Sequence, residues 1–189
     1  PDIERDYDLI AFTTSPSNWG EGARLAVAPQ ARHAASMFAG TKVLAWGHNL
    51  ALLEDAQSRG FDEVILLNER GDVSECTSAN IFVVEGSRVW TPPLRSGCLP
   101  GVTREILLSE VRPPGLALGE KDLRLRDLQR ADEVLITSTT RNLLPVLSIE
   151  GIPLRHGGPV GRALQSAFAS YVRDFILRHK EAPVVAGDT

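Results

Sequence analysis

Between Asp62 and Thr91 short apolar runs alternate with turn-forming residues, a pattern that antiparallel sheet accommodates. Asp62 to Leu67 (DEVILL) reads as a strand with a continuous apolar run, Asn68-Glu69-Arg70-Gly71-Asp72 turns the chain, and Val73 to Thr77 pairs back. Asn80 to Val84 (NIFVV), the tight turn Glu85-Gly86 and a partner strand Ser87 to Thr91 repeat the arrangement. Apolar, β-branched runs bounded by Gly, Asn and Asp are the signature of hairpins, so this one segment holds two.

Helical patterns flank the hairpins. Leu50, Leu53, Ala56 and Gln57 fall at helical spacing and Gly60 suits a C-cap, which predicts a helix over 46–59. Thr103 to Val111 (TREILLSEV) is a second helix, ended by Pro113-Pro114-Gly115, and a third lies around Asp122 to Arg130. The fourth runs from Pro159 to His179, with Val160, Leu164, Phe168 and Tyr171 or Val172 on one face. Further strands are predicted at Tyr7 to Phe12, Arg24 to Val27, Leu116 to Leu118, Glu133 to Ile136 and Leu143 to Ile149. Residues 13–20 read as loop, 29–41 are Ala-rich without a clear period, and 181–189 read as a frayed tail.

Composition narrows the function classes. The chain has 189 residues, 43% of them hydrophobic and 23% charged, enough for one domain or one domain and part of another. Lys and Arg number 20 against 24 Asp and Glu, a net charge of −4. That argues against nucleic acid held on a basic stripe and against a polybasic membrane anchor. No apolar run approaches the ~18 residues of a membrane span, and no basic and apolar export signal opens the chain. Cys76 and Cys98 are too few for a disulfide scaffold and suit a reducing compartment, so the cytoplasm is expected. The absent initiator methionine and abrupt Pro1 suggest a piece of a longer chain.

GxxxxGK[ST], GxSxG, HExxH and CxxC are all missing. His33, His48, His156 and His179 show no metal spacing, so no metal site is expected, and the two cysteines read as small buried hydrophobes. Two clusters suit an anion. Leu99-Pro100-Gly101-Val102-Thr103-Arg104 brings a glycine and a threonine to a helix start, where backbone N–H groups are free. Thr137-Ser138-Thr139-Thr140 ends a strand in four hydroxyls. The plainer readings are an N-cap threonine and a hydroxyl-rich turn. Lys42, ahead of a helix and beside an apolar stretch, reads first as a solvated surface lysine; the alternative is a partly desolvated one, whose lowered pKa frees an amine for Schiff-base chemistry. Glu75, in a strand, is either solvent-facing or a buried partner for a cationic ring nitrogen, and the residues leave both open.

The order of these segments resembles the class IV, fold-type IV, pyridoxal-phosphate enzymes: branched-chain aminotransferases, D-amino-acid aminotransferases and aminodeoxychorismate lyases. The residues that carry it are Lys42, Ala56-Gln57-Ser58-Arg59-Gly60, DEVILL, Gly71-Asp72-Val73-Ser74-Glu75, Ser78-Ala79-Asn80-Ile81-Phe82, Thr91-Pro92, LPGVTRE, ADEVLITSTTRNLLPV and Gly157-Gly158-Pro159, spanning about residues 40 to 175. The resemblance implies an α+β large domain with curled β-sheets forming a pseudo-barrel and helices outside. It implies that Lys42 forms the aldimine with pyridoxal 5'-phosphate and shuttles the substrate proton, while Glu75 faces the pyridine nitrogen. Gly101, Val102 and Thr103 would hold the phosphate at a helix start, with Thr139 and neighbouring Ser138 as the second phosphate contact. The Thr140 N–H would meet the substrate carboxylate, and Asn80 would support the Glu75 strand.

Residues 1–36 would then end a smaller N-terminal domain and linker, 37–180 would form the cofactor domain, and 181–189 a flexible tail. The missing part of that N-terminal domain would supply a phosphate-binding arginine and much of the substrate pocket, some of it across a homodimer interface. The implied activity moves an amino group between an amino acid, of branched-chain type by default, and a 2-oxo acid; this chain alone would be inactive. The alternatives are pyruvate elimination by an aminodeoxychorismate lyase and a truncated non-catalytic domain. Trp46 stands where many relatives carry a tyrosine. Cys76 and Ala79 are lyase-like, whereas Thr137 to Pro145 is aminotransferase-like.

Overall fold

The computed structural model describes residues 11–13, 15 and 18–180. Strand β1 (Ala23–Arg32) leads to helix α1 (Gly47–Ser58), strands β2 (Glu63–Asn68), β3 (Val73–Cys76), β4 (Asn80–Glu85) and β5 (Arg88–Thr91), and helix α2 (Val102–Ser109). Then follow β6 (Ala117–Glu120), α3 (Leu125–Arg130), β7 (Glu133–Ser138), β8 (Asn142–Ile149), the short β9 (Ile152–Pro153) and the long α4 (Pro159–His179).

Both predicted hairpins form, with Leu66 opposite Glu75 in the first and Val83 opposite Trp90 in the second. Four elements differ from the sequence reading. β1 runs on to Arg32, because parallel pairing with β2 carries it past the apolar stretch. α3 starts at Leu125 rather than near Asp122, because the Asp127 carboxylate accepts the Arg124 N–H at 2.7 Å and sets the cap there. β9 and a 3-10 turn at Leu94–Ser96 are too short to leave a periodic signal. The strand predicted over Tyr7 to Phe12 lies outside the described residues except at 11 and 12, which carry no regular structure, and the predicted tail at 181–189 lies outside them entirely.

The strands order as β3-β2-β1-β8-β7-β4-β5-β6, with β9 on β8. β1 is parallel to both β2 and β8, and β5 to β6, while the remaining pairs are antiparallel. The sheet is strongly curled. In a flat sheet of this order β3 and β4 would stand five strand spacings apart, roughly 24 Å. Instead Val73 and Cys76 of β3 share one buried cluster with Ile81 and Val83 of β4, and the Cys76 N–H donates to Ala79 O at 2.7 Å.

Side-chain alternation then assigns the layers. Ile81, Val83, Val134 and Ile136 fill the interior of the curl. Phe82, Val84 and Leu135 point outward onto Leu107 of α2 and Leu164 and Phe168 of α4. Ala26, Ala28, Val64 and Leu66 pack on Ala56 of α1. The apolar runs are continuous because both faces of these strands are covered. The predicted face of α4 is the one that packs. In α1 Ala56 is buried and Leu53 half-buried, while Leu50 and Gln57 are exposed. The first turn of α1 is held instead by a polar contact of Asn49, described below.

Candidate active site

A cleft of 640 Å³ opens between the end of β1, the segment 40–46, the start of α1 and the β3–β4 turn, and both Lys42 and Glu75 line it. Glu75 is buried, so of its two readings the enclosed one holds. One carboxylate oxygen accepts from Arg32 Nη2, and the other accepts the Leu99 N–H at 2.9 Å. Burial pushes the Glu75 carboxyl above the ordinary carboxylate range; the Arg32 charge and the Leu99 N–H pull it back without cancelling that push. Lys42 is exposed, so of its two readings the solvated one holds: its irregular segment lies along the rim of the cleft. Trp46 also lines the cleft. His33, His48, His156 and His179 do not.

Leu99 connects this cleft to the first predicted anion cluster. Its N–H serves Glu75 while its carbonyl accepts from Asn80 Nδ2 at 2.8 Å, so Asn80 braces the loop next to Glu75. Two residues on, Gly101 caps α2. A Cβ there would stand 2.1 Å from Asn80 Oδ1, so the close approach requires glycine. Val102 is exposed; Thr103 is buried as the second residue of α2 and is not its N-cap. The buried Arg104 donates from Nη2 to Pro92 O at 2.9 Å and pairs with Glu120, pinning the loop before the helix.

The second cluster meets the first across β4 and β7. Thr137 lies directly opposite Asn80, so their side chains share a sheet face. Thr137 Oγ1 is buried and, among the described residues, has no hydrogen-bond partner. An orphan hydroxyl beside a helix start with free N–H groups suits a phosphate group. Ser138 ends β7, its hydroxyl 3.4 Å from that of Thr140 and accepting the Arg141 N–H at 3.2 Å. Thr139 and Thr140 are exposed in the turn to β8. Gly101, Val102, Thr103, Ser138, Thr139 and Thr140 are therefore not in the wall of the cleft that Lys42 and Glu75 share; they belong to the two element ends beyond Leu99 and Thr137.

The structure adds residues the sequence did not single out. Arg32, in an Ala-rich stretch, had no signal. Glu63 had a faint one, a charge interrupting an apolar strand. It is fully buried and accepts from the N–H groups of Val64 (3.0 Å) and Thr77 (3.1 Å), the hydroxyls of Thr77 and Ser78, and Arg141 Nη2 (3.2 Å). The Arg141 guanidinium also lies 3.9 Å from the centre of the Trp19 ring. Asn49 Nδ2 donates to Thr77 O at 2.8 Å. Together these contacts fix the turn Thr77-Ser78-Ala79, which walls the cleft. Cys76 and Cys98 are buried and burial pushes both thiols up, so they pack as the sequence suggests.

A curled mixed sheet with a lysine and a held glutamate in one cleft, and a helix start beside it, defines a recognisable class. Residues 6–149 match the family model for amino-transferase class IV, and the chain belongs to that family. The branched-chain-amino-acid aminotransferase of Escherichia coli is 35% identical over 133 residues, covering 68% of this chain and 43% of the relative. The chain thus spans less than half the length of that protein. Among solved structures, the branched-chain aminotransferase of the thermophilic archaeon Thermoproteus uzoniensis with norvaline superposes with a TM-score of 0.74 at 32% identity, over 85% of this chain and 53% of that one. A putative 4-amino-4-deoxychorismate lyase from Legionella pneumophila gives 0.75 at 25% identity, over 90% and 59%.

Proposed function

We propose that this chain is the cofactor-binding part of a pyridoxal-phosphate-dependent aminotransferase that exchanges an amino group between a branched-chain amino acid and a 2-oxo acid. The observation that carries the reading is the shared cleft: an accessible lysine amine and a buried, doubly held glutamate line one cavity. When bound, pyridoxal phosphate supplies an aldehyde open to an amine and a protonated ring that draws electrons from the substrate α-carbon. Lys42 Nζ would be the amine that holds the aldehyde, and it would carry the proton at the substrate α-carbon. Glu75 stabilises the ring proton. The α2 start at Gly101, Val102 and Thr103 and the β7 end at Ser138 and Thr139 hold the phosphate, and the Thr140 N–H receives the substrate carboxylate. The orphaned Thr137 hydroxyl and the α2 start, which no side chain among the described residues caps, support that placement. Fixing the cofactor through its phosphate keeps it in place while the lysine is displaced.

Met37, Phe38, Leu44, Trp46 and Leu50 are exposed around the Lys42 segment. Such a patch supports a homodimer in which further protein covers the rim. No helix among the described residues is long and apolar enough to cross a membrane, and the two free, buried thiols support a cytoplasmic enzyme.

Borohydride reduction of the protein as purified from its host, followed by peptide mapping, tests the reading. A phosphopyridoxyl adduct on Lys42, lost in Lys42→Ala, is the expected result. A cofactor-loaded, active Lys42→Ala overturns it. Pyruvate released without an added 2-oxo acid would identify the lyase instead.

A further inference from the structure

The end of β1 departs from regular strand geometry in a way that serves one side chain. The register with β2 shifts between Ala28 and Arg32, and Gln30 within that shift has φ +53, a conformation unusual for a non-glycine residue. Bulges of this kind re-aim side chains and are frequent beside active sites. Here the residue re-aimed is Arg32, whose Nη2 meets the Glu75 carboxylate inside the cleft. Space for its stem is provided from a second element. Gly97, at φ +92, lies so close that a Cβ there would be 3.2 Å from Arg32 Cγ and 3.0 Å from Ala34 Cα. Two irregular backbone positions from distant parts of the chain thus place one guanidinium.

We propose that Arg32 is a positioning residue for Glu75: it grips one carboxylate oxygen so that the group stays ionised and keeps its remaining acceptor sites facing the cleft. A carboxylate offers about four lone-pair sites, and Arg32 and Leu99 occupy only two. Other groups facing Glu75 do not do this work. Glu63 of β2 opposes ionisation, and the Leu99 N–H is a neutral donor. Lys42 lines the same cleft but is exposed. Among the described residues, only Arg32 supplies a fixed positive charge in contact with the carboxylate. The Arg32 charge works against burial at Glu75, so a proton shared with a ring nitrogen in the cleft would be favoured on the nitrogen. Without Arg32, burial is opposed only by the Leu99 N–H, and the proton would be favoured on Glu75. The role toward the ring rests on the function proposed above; the grip on Glu75 does not.

The test follows the Glu75 carboxyl carbon by NMR in the full chain labelled at glutamate, with Glu75→Gln used only to assign the signal. Arg32→Gln and Arg32→Met each raise the protonation midpoint of Glu75 by at least about one pH unit, a tenfold gain in proton affinity. Arg32→Lys restores most of the shift, because it returns a charge but not the planar fork. Two neutral variants are made so that either one, if folded, decides the matter. Midpoints that coincide with wild type overturn the proposal, as does a normal midpoint in Arg32→Gln with failure only in Arg32→Lys. The borohydride experiment runs beside it. A moved midpoint with no Lys42 adduct in wild type sinks the cofactor reading, whereas an adduct with an unmoved midpoint sinks the Arg32 role alone.

Discussion

Replacing Glu63 by alanine removes the acceptor for two backbone N–H groups, two hydroxyls and the Arg141 guanidinium in one step. The Arg141 side chain is only 6% exposed and that of Glu63 1%, so water cannot take over these contacts without rearrangement. Breaking a buried pair by deleting one partner costs about 3–5 kcal/mol, most of it from the charge left behind. For a chain of this size that corresponds to a fall in Tm of about 6–20 °C, at about 2–4 °C per kcal/mol. Denaturant or thermal unfolding of Glu63→Ala, Arg141→Ala and the double variant measures the effect. The double variant should be less destabilised than the sum of the singles by about 0.5–3 kcal/mol, since removing both partners leaves no orphaned charge. A loss below about 1 kcal/mol in Glu63→Ala, or strict additivity, would refute the claim that this pair braces the Thr77–Ala79 wall.

Two further outcomes follow from the same geometry. Gly101→Ala drives a Cβ into Asn80 Oδ1, which should cost about 1–3 kcal/mol and weaken cofactor retention more than Val102→Ala does; equal retention in the two, by equilibrium dialysis, would show that the cap is not part of the cradle. Cys76 and Cys98 should resist a thiol reagent near pH 8 in the folded chain and react on denaturation, because burial raises both thiols and limits access. Rapid labelling of the native protein would contradict their placement.

Much of the fold was legible where one strand pairs with its sequence neighbour. DEVILL, NIFVV and their turns announce hairpins because the partner is a few residues away and the turn chemistry is local. The α4 face was legible for the same reason, as a period of 3.6 in one segment. β1 was legible only over Arg24 to Val27, because its partners β2 and β8 lie far along the chain and its last residues pair through a bulge. In α1 the helical spacing gave the helix, because spacing shows which residues share a side, but not which side is covered.

At the site, the residue order determined which side chains to consider, Lys42 and Glu75 among them. Sequence alone also limited the class, through mild acidity, two cysteines and the absence of metal spacing. Whether Glu75 faced solvent or an enclosed cleft was a tertiary decision, since burial and the approach of Arg32 depend on the curl that brings β1, β3 and the loop at Leu99 together. The exposure of Lys42 was decided there too, as was the meeting of α2 with β7 through Asn80 and Thr137. The physical reason is common to all three. A residue type fixes what a group can donate, accept or carry, while its solvation and partners are set by segments distant in sequence that only the curled sheet makes neighbours.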